Sequence, residues 1–330
     1  MEERGLLFSG FTILWKFLSF GIAIALLLLY EKSFRSVVYT LALAEILSGT
    51  IAAFAALWNI SAKKTGLDRE AISTMLRYAI PLLPATIISW IYTSSDQYML
   101  RIISGYTELG LYTAAHKIIA IISILQNSFT ALWAPVGLRW YESRKDPVYF
   151  DLVMWAIGFV STVLGLGLLL CKNLVALVLG SGFRMALTIF PFLLLSPILY
   201  TVSETSFVGI SFSRKTGYNS VISGATAIVN VILNLILIPI WGGRGAAIAT
   251  GLSYILFFWL RTLISRKLWR SFPLGHFIVN SLILAANCFV HTFLSGSAPY
   301  LISAVSIAVL TAVAVPTIKK TWTLLRKLDA

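Results

Sequence analysis

The sequence predicts an all-α polytopic membrane protein of about ten transmembrane helices, on three observations. Its 330 residues are 58% hydrophobic and only 12% charged, about half the charged share of a soluble domain. Mean hydropathy is +0.87. The apolar residues fall in runs of about 20 or more, enough to cross a hydrocarbon core of roughly 30 Å at 1.5 Å per residue. A transmembrane barrel would show short alternating segments instead.

In chain order, the candidate spans run near 7–30, 36–58, 78–103, 109–134, 150–171, 185–212, 218–240, 245–265, 274–294 and 299–318. The sixth is interrupted by Arg184, Pro191, Pro197 and Glu204. A broken or kinked helix is the alternative there, tolerated in a membrane where the freed backbone faces protein or water.

Loop charges set the orientation. Eighteen Lys and Arg fall on the side of the amino terminus, the loops after spans 2, 4, 6 and 8, and the carboxyl tail, Arg261 among them. The opposite side holds six: Lys32, Arg35, Arg101, Lys172, Arg184 and Arg244. The positive-inside rule then places both termini in the cytoplasm, which an even number of spans requires. The net charge of +13 is explained by these loops and calls for no nucleic acid.

The connections exclude most enzymes. The longest, near 59–76, has room for a surface helix but for no folded domain, and the outward loops are turns such as GSAP at 296–299 and WGGRG at 241–245. No phosphate loop, HExxH helix or GxSxG elbow is present. Cys171 and Cys288 lie far apart in apolar runs, without metal-ligand or disulfide spacing. His116, His276 and His291 stand apart from one another, which favours structural roles over metal binding. No cofactor and no metal are expected. The start MEERGLLFSG lacks a basic stretch followed by a cleavage site, so no removable signal peptide is expected.

Spans 3 and 4 form a predicted hairpin around SGYTELG, and it carries charge where charge is costly. Asp96 and Lys117 lie about equally far from the turn, hence at similar depth, and are predicted to face each other. Lys16 of span 1 and Glu45 of span 2 flank the turn at 31–35 within reach of a long Lys side chain. Glu204 has no partner in its own hairpin. Ser94, Ser95 and Gln97 surround Asp96; Gln126 and Asn127 follow Lys117; Asn230 and Asn234 share one helix face. Two readings stay open for these polar residues, interhelical glue or a hydrated cavity. The candidates for contact with substrate or a coupling ion are Lys16, Glu45, Asp96, Gln97, Lys117, Gln126, Glu204, Asn230 and Asn234. Trp and Tyr near span ends fit the aromatic belt.

The segments RYAIPLLP, SSDQYML, SGYTELGLYTAAHKI and FTALWAPVGLRWYE resemble the central helix pair of bacterial polysaccharide-biosynthesis proteins. These are the O-antigen and capsule flippases of the multidrug/oligosaccharidyl-lipid/polysaccharide exporter superfamily. NVILNLILIPIWGGRGAAIATGLSYILFFWL at 230–260 is similar to the family's Asn-rich helix, Pro, Gly-Ala-Ala turn and following helix. SFSRKTGYNS, which ends the sixth span, fits the same pattern, and the resemblance covers roughly residues 66 to 320.

What the resemblance implies is a MATE-like exporter of two helical bundles around a cavity, working by alternating access. Its substrate would be an undecaprenyl-diphosphate-linked oligosaccharide (an O-antigen, capsule or exopolysaccharide unit), moved across the bacterial inner membrane. Family members commonly have about twelve to fourteen spans, six to a lobe. Against that pattern, 1–65 holds two spans of an amino-terminal lobe, 66–270 a complete six-helix carboxyl-terminal lobe, and 271–330 two further spans and a basic tail. About four amino-terminal spans of the pattern are lacking. The expected partners are the lipid-linked oligosaccharide, membrane lipids, and a second copy or partner chain that completes the cavity. Three rivals remain: a cation-coupled multidrug exporter, a membrane-embedded polysaccharide polymerase or ligase, and a truncated, non-transporting partner.

Overall fold

The computed structural model describes the backbone from Leu83 to Leu328 except residues 179, 180, 214 and 216, and most side chains from 94 to 314. Before that it describes scattered positions between 16 and 50, and residue 73. The chain divides into two compact units, Met1–Leu83 and Pro84–Ala330.

In the first unit, spans 1 and 2 lie partly outside the described residues. Val38–Leu47 is a short apolar helix, and Glu45 on it accepts a hydrogen bond from Lys16 at 3.0 Å. That pair forms as expected. Both side chains are about half exposed, at 58% and 50%.

The second unit opens with α1 (Leu83–Glu142), which is broken at Gly105. There φ is 86° and ψ −177°, a backbone conformation open to Gly and strained for any residue with a Cβ. The break is a reversal. Tyr112 donates its hydroxyl to Asp96 at 2.9 Å, whereas sixteen residues of straight helix would part them by about 24 Å. The predicted hairpin is therefore present, with its turn at Gly105.

Next come α2 (Pro147–Leu170), α3 (Lys172–Val178), a 3-10 helix (Ser181–Thr188), α4 (Phe190–Phe212), α5 (Gly217–Trp241), α6 (Gly243–Leu268), α7 (Gly275–Phe293) and α8 (Ala298–Leu328). Asp146 caps α2 by accepting from the Val148 N–H at 2.8 Å, and Pro147 follows at the first helical position, where its missing N–H costs nothing. The doubtful sixth span resolves into the 3-10 helix and α4. Pro191 sits in the first turn of α4, and Pro197 inside it. Pro197 cannot bond the Leu193 carbonyl, which accepts from the Ser196 hydroxyl at 2.8 Å instead.

Among the described residues six helices are long and apolar enough to cross a membrane, α1 being the folded one. The protein is multi-pass. The predicted spans 3 to 10 correspond to the two arms of α1, then α2, α4, α5, α6, α7 and α8. The count of ten stays an expectation, since spans 1 and 2 are only partly described and Ala298–Ala314 of the tenth counts as a shorter apolar helix.

α4 is the axis of the unit, with most of its residues buried from Phe190 to Ile210. α6 packs on α4 and α5, while α2 carries α7 and α8. Close approach between α5 and α6 depends on Gly245, where a Cβ would run into the Leu237 carbonyl. Small residues at such crossings are how membrane helices gain van der Waals contact without help from water. Trp133, Trp140, Phe150, Phe212 and Trp269 interlock edge-on near the end opposite Gly105.

Candidate functional site

The strongest polar feature of the second unit is a buried carboxylate whose partners, among the described residues, are all neutral. Asp96 lies on the first arm of α1 and is 9% exposed. Its Oδ1 accepts from Asn234 Nδ2 of α5 at 2.6 Å. Its Oδ2 accepts from Thr250 Oγ1 of α6 at 2.7 Å and from Tyr112 on the second arm at 2.9 Å. Asn234 also donates to Asn230 Oδ1 at 3.1 Å, one turn away on the same face. The His116 ring stands edge-on to Tyr112 at 4.8 Å.

Three helices therefore converge on one carboxylate that, among the described residues, no Lys or Arg meets within ion-pair distance. Asn234 Oδ1 is buried and has no hydrogen-bond donor. With Asp96, Asn230 and Thr250 it makes the site rich in oxygen and low in charge. Hard cations are taken by such oxygen sets. Among the described residues no three His, Cys, Asp or Glu side chains gather into a metal-binding group.

The predicted pairing of Asp96 with Lys117 does not form. Lys117 is exposed and belongs to none of the three ion pairs among the described residues. Depth and helical phase both account for the difference. The turn lies at Gly105, earlier than the midpoint of SGYTELG, which brings Tyr112 level with Asp96. Tyr112, Ala115 and Ile119 form the buried stripe, while Lys117, five residues beyond Tyr112, is turned roughly 140° away from it.

Glu204, without a partner in its own hairpin, meets one on another helix. It is buried and accepts from Arg261 Nη1 at 2.6 Å, and the same nitrogen donates to Ser203 Oγ at 2.9 Å. The guanidinium lies 3.9 Å from the Phe207 ring centre and 5.2 Å from that of Tyr200. Arg261, grouped above with the cytoplasmic loop charges, thus belongs to the helix core. The remaining candidates scatter: Gln97 is exposed and Gln126 half-buried, while Asn230 and Asn234 are buried with Asp96. Lys16 and Glu45 pair within the first unit.

Comparison with known proteins gives this arrangement a context. Residues 10–137 match the family described as polysaccharide biosynthesis protein. Over that stretch, less than half of the chain, the sequence is similar to that family. The match begins near the amino terminus and so takes in spans that the motif resemblance did not cover.

Over 258 residues the chain is 23% identical to a probable low-salt glycan biosynthesis flippase, Agl15, of Haloferax volcanii. That alignment takes in 74% of this chain and 54% of the relative, so the chain spans about half the length of the curated relative it matches. In structure it superposes on the lipid II flippase MurJ in an inward closed conformation with a TM-score of 0.63, at 17% identity. The superposition covers 91% of this chain and 66% of the MurJ chain. At that identity the likeness is one of fold: an all-helical, MurJ-like arrangement. Both relatives are described as flippases, and neither as an enzyme.

Proposed function

We propose that the chain acts in a flippase that turns a lipid-linked oligosaccharide across the membrane by alternating access, driven by a cation or proton at Asp96. The observation that carries this reading is the Asp96 network, a buried carboxylate shared by α1, α5 and α6 whose donors among the described residues are all neutral. A charge in such a place is expensive, and membrane proteins keep it mainly where something titrates or binds. Loading or unloading Asp96 changes what Asn234, Thr250 and Tyr112 can bond. The three helices are thereby given a reason to adopt two arrangements, which is how an ion coupled to transport must act.

Lys117 then takes a different part from the one its pairing would have given it. Exposed on the face of the hairpin away from Asp96, it is one described cation of this helix pair able to meet an anionic head group, a diphosphate or an acidic sugar. The family match and the two flippase relatives support a glycan carried on a lipid. An undecaprenyl-diphosphate carrier, an O-antigen or capsule unit, a bacterial inner membrane and cytoplasmic termini complete the proposal. A second copy or partner chain that completes the cavity belongs to it as well.

Surface polysaccharide in a flippase-null strain tests the activity, with wild type restoring it and Asp96→Asn failing to do so at equal protein level. Failure of the wild-type chain, alone and with any partner encoded beside it, would overturn the reading. Orientation is tested separately. Cysteines placed at 241–245 and 296–299 should label from outside, and one at 144 only after permeabilisation.

A further inference from the structure

α8 is longer than a bilayer requires. Its 31 residues, Ala298–Leu328, make about 46 Å of helix at 1.5 Å per residue, against a hydrocarbon core of roughly 30 Å. A helix that starts from the turn after α7 therefore has about ten residues left once the core is crossed. Those last residues, IKKTWTLLRKL at 318–328, hold Lys319, Lys320, Arg326 and Lys327. Between Glu204 and Asp329 the sequence has no acidic residue.

The sides of α8 are fixed by the half that the bundle holds. Ser303 donates to Asn287 Oδ1 of α7 at 2.8 Å, and Ser306 accepts from Asn287 Nδ2 at 3.0 Å. Leu310 and Ala314 are buried. On the opposite side Val305 and Val309 are 61% and 49% exposed, and Ala312 is exposed as well.

Seven residues make almost two turns, so each step of seven returns to nearly the same face, drifting by about 20°. From the exposed Val305 and Ala312, such steps reach Lys319 and Arg326. From the buried Leu310 and Ala314, they reach Leu324 and Leu328. Lys320 and Lys327 follow their neighbours by about 100°, so the four cations share one arc of about 120°. Ile318, Trp322, Leu325 and Leu328 fall outside it.

The outward face of α8 thus changes from valine to lysine and arginine at the depth where acyl chains give way to headgroups. The positive-inside rule accounts for basic residues beside a span. It does not account for their gathering on the side turned from the bundle, with apolar residues opposite. A basic face backed by an apolar one suits a helix at an anionic lipid surface. Cations placed just beyond a span attract acidic headgroups there within a Debye length.

We propose that residues 318–328 of α8 form a docking surface for anionic phospholipid headgroups, with Lys319, Lys320, Arg326 and Lys327 as its charges. The proposal is independent of the flippase reading and of which leaflet the segment meets.

The test places one fluorophore at the centre of the basic face, on Thr323→Cys of the full-length protein carrying Cys171→Ala and Cys288→Ala. The protein is reconstituted in phosphatidylcholine vesicles with a minor share of spin-labelled phosphatidylglycerol, or of phosphatidylcholine bearing the same quenching label. At low salt, phosphatidylglycerol should be enriched at the fluorophore about 5-fold over phosphatidylcholine, the factor that corresponds to about 1 kcal/mol. High salt should remove most of that preference. Lys319→Gln, Lys320→Gln, Arg326→Gln and Lys327→Gln together should make the two lipids equal.

A rearranged variant separates the face from the charge count. Lys320→Thr with Thr321→Lys, and Leu325→Arg with Arg326→Leu, keep every charge and move two of them off the arc. This protein should lose most of the preference. If it is folded and keeps the full preference, the face is overturned and charge count alone remains. Equal quenching by the two lipids in the unrearranged protein at low salt overturns the proposal and points to an acidic protein segment as the occupant. A preference that survives high salt overturns it too, and that measurement needs no charge variant to fold.

Discussion

Asn234 donates its amide to Asp96 at 2.6 Å, tying α5 to the first arm of α1 across 138 residues of chain. The same amide reaches Asn230 at 3.1 Å, so one side chain holds both the carboxylate and its own helix. Asn234→Ala removes both bonds and should destabilise the protein by about 1–3 kcal/mol. Asp96→Asn keeps the shape and gives up the charge. It should fold normally, while transport falls on the order of 10-fold or more and loses its dependence on the driving ion, the size of effect expected when an essential titrating group is removed. Thermal unfolding in detergent and ion-dependent transport in vesicles measure the two effects. An Asp96→Asn protein that transports with the same ion dependence as wild type would refute the coupling role.

The second buried charge behaves differently because it is paired. Arg261 and Glu204 are 6% and 5% exposed, and Ser203, Phe207 and Tyr200 enclose the guanidinium. Glu204→Gln strands that charge and should cost about 3–5 kcal/mol. Adding Arg261→Met removes the stranded charge and should recover most of the loss, since apolar replacement of a buried ion pair is often close to neutral. A double mutant as unstable as the single one would show that the pair supplies something beyond mutual neutralisation. Melting curves of the three proteins decide it.

Much of the architecture could be read from the sequence, because apolar run length is nearly sufficient to locate a helix in a membrane. The turn of the hairpin, the broken sixth span and the pair between Lys16 and Glu45 all follow from spacing and from the cost of isolated charge. The side-chain partnerships were harder. Asp96 stands out in the sequence as a costly charge, but its partners Thr250 and Tyr112 carry none and look like any hydroxyls in an apolar run. Charge alone points to Lys117 instead. Helical phase held the missing information, since Tyr112, Ala115 and Ile119 recur at the spacing of one face while Lys117 departs from it. Arg261 was assigned to a loop because it lies near a helix end. Only the packing of α6 on α4 shows that it meets Glu204.

Lys117 therefore serves to separate a structural cation from a functional one. It is exposed, with no ion pair to lose among the described residues, so Lys117→Gln should leave the melting temperature within about 1 °C of wild type, as surface substitutions away from packed features usually do. If the exposed face meets an anionic head group, transport should fall by about 10-fold in Lys117→Gln, the factor that corresponds to 1.4 kcal/mol of lost attraction. Lys117→Arg should keep most of it. Loss of folding in Lys117→Gln, or full transport by it, would contradict this assignment.

The last prediction concerns Lys172, whose ammonium is held below the usual Lys range, at about 8, by burial first and by Arg244 second. The unfolded side chain titrates near pH 10.4. Between about pH 8 and 10.4 the unfolded chain binds the extra proton, so this group alone makes the folded protein more stable as pH rises through that window. Lys172→Met removes the titrating group, so the rise in stability across that window should shrink by what this one group contributes. Melting curves of wild type and Lys172→Met at four or five pH values between about 7 and about 10.4 measure the difference. An equal rise in the two proteins would show that Lys172 is not the group responsible.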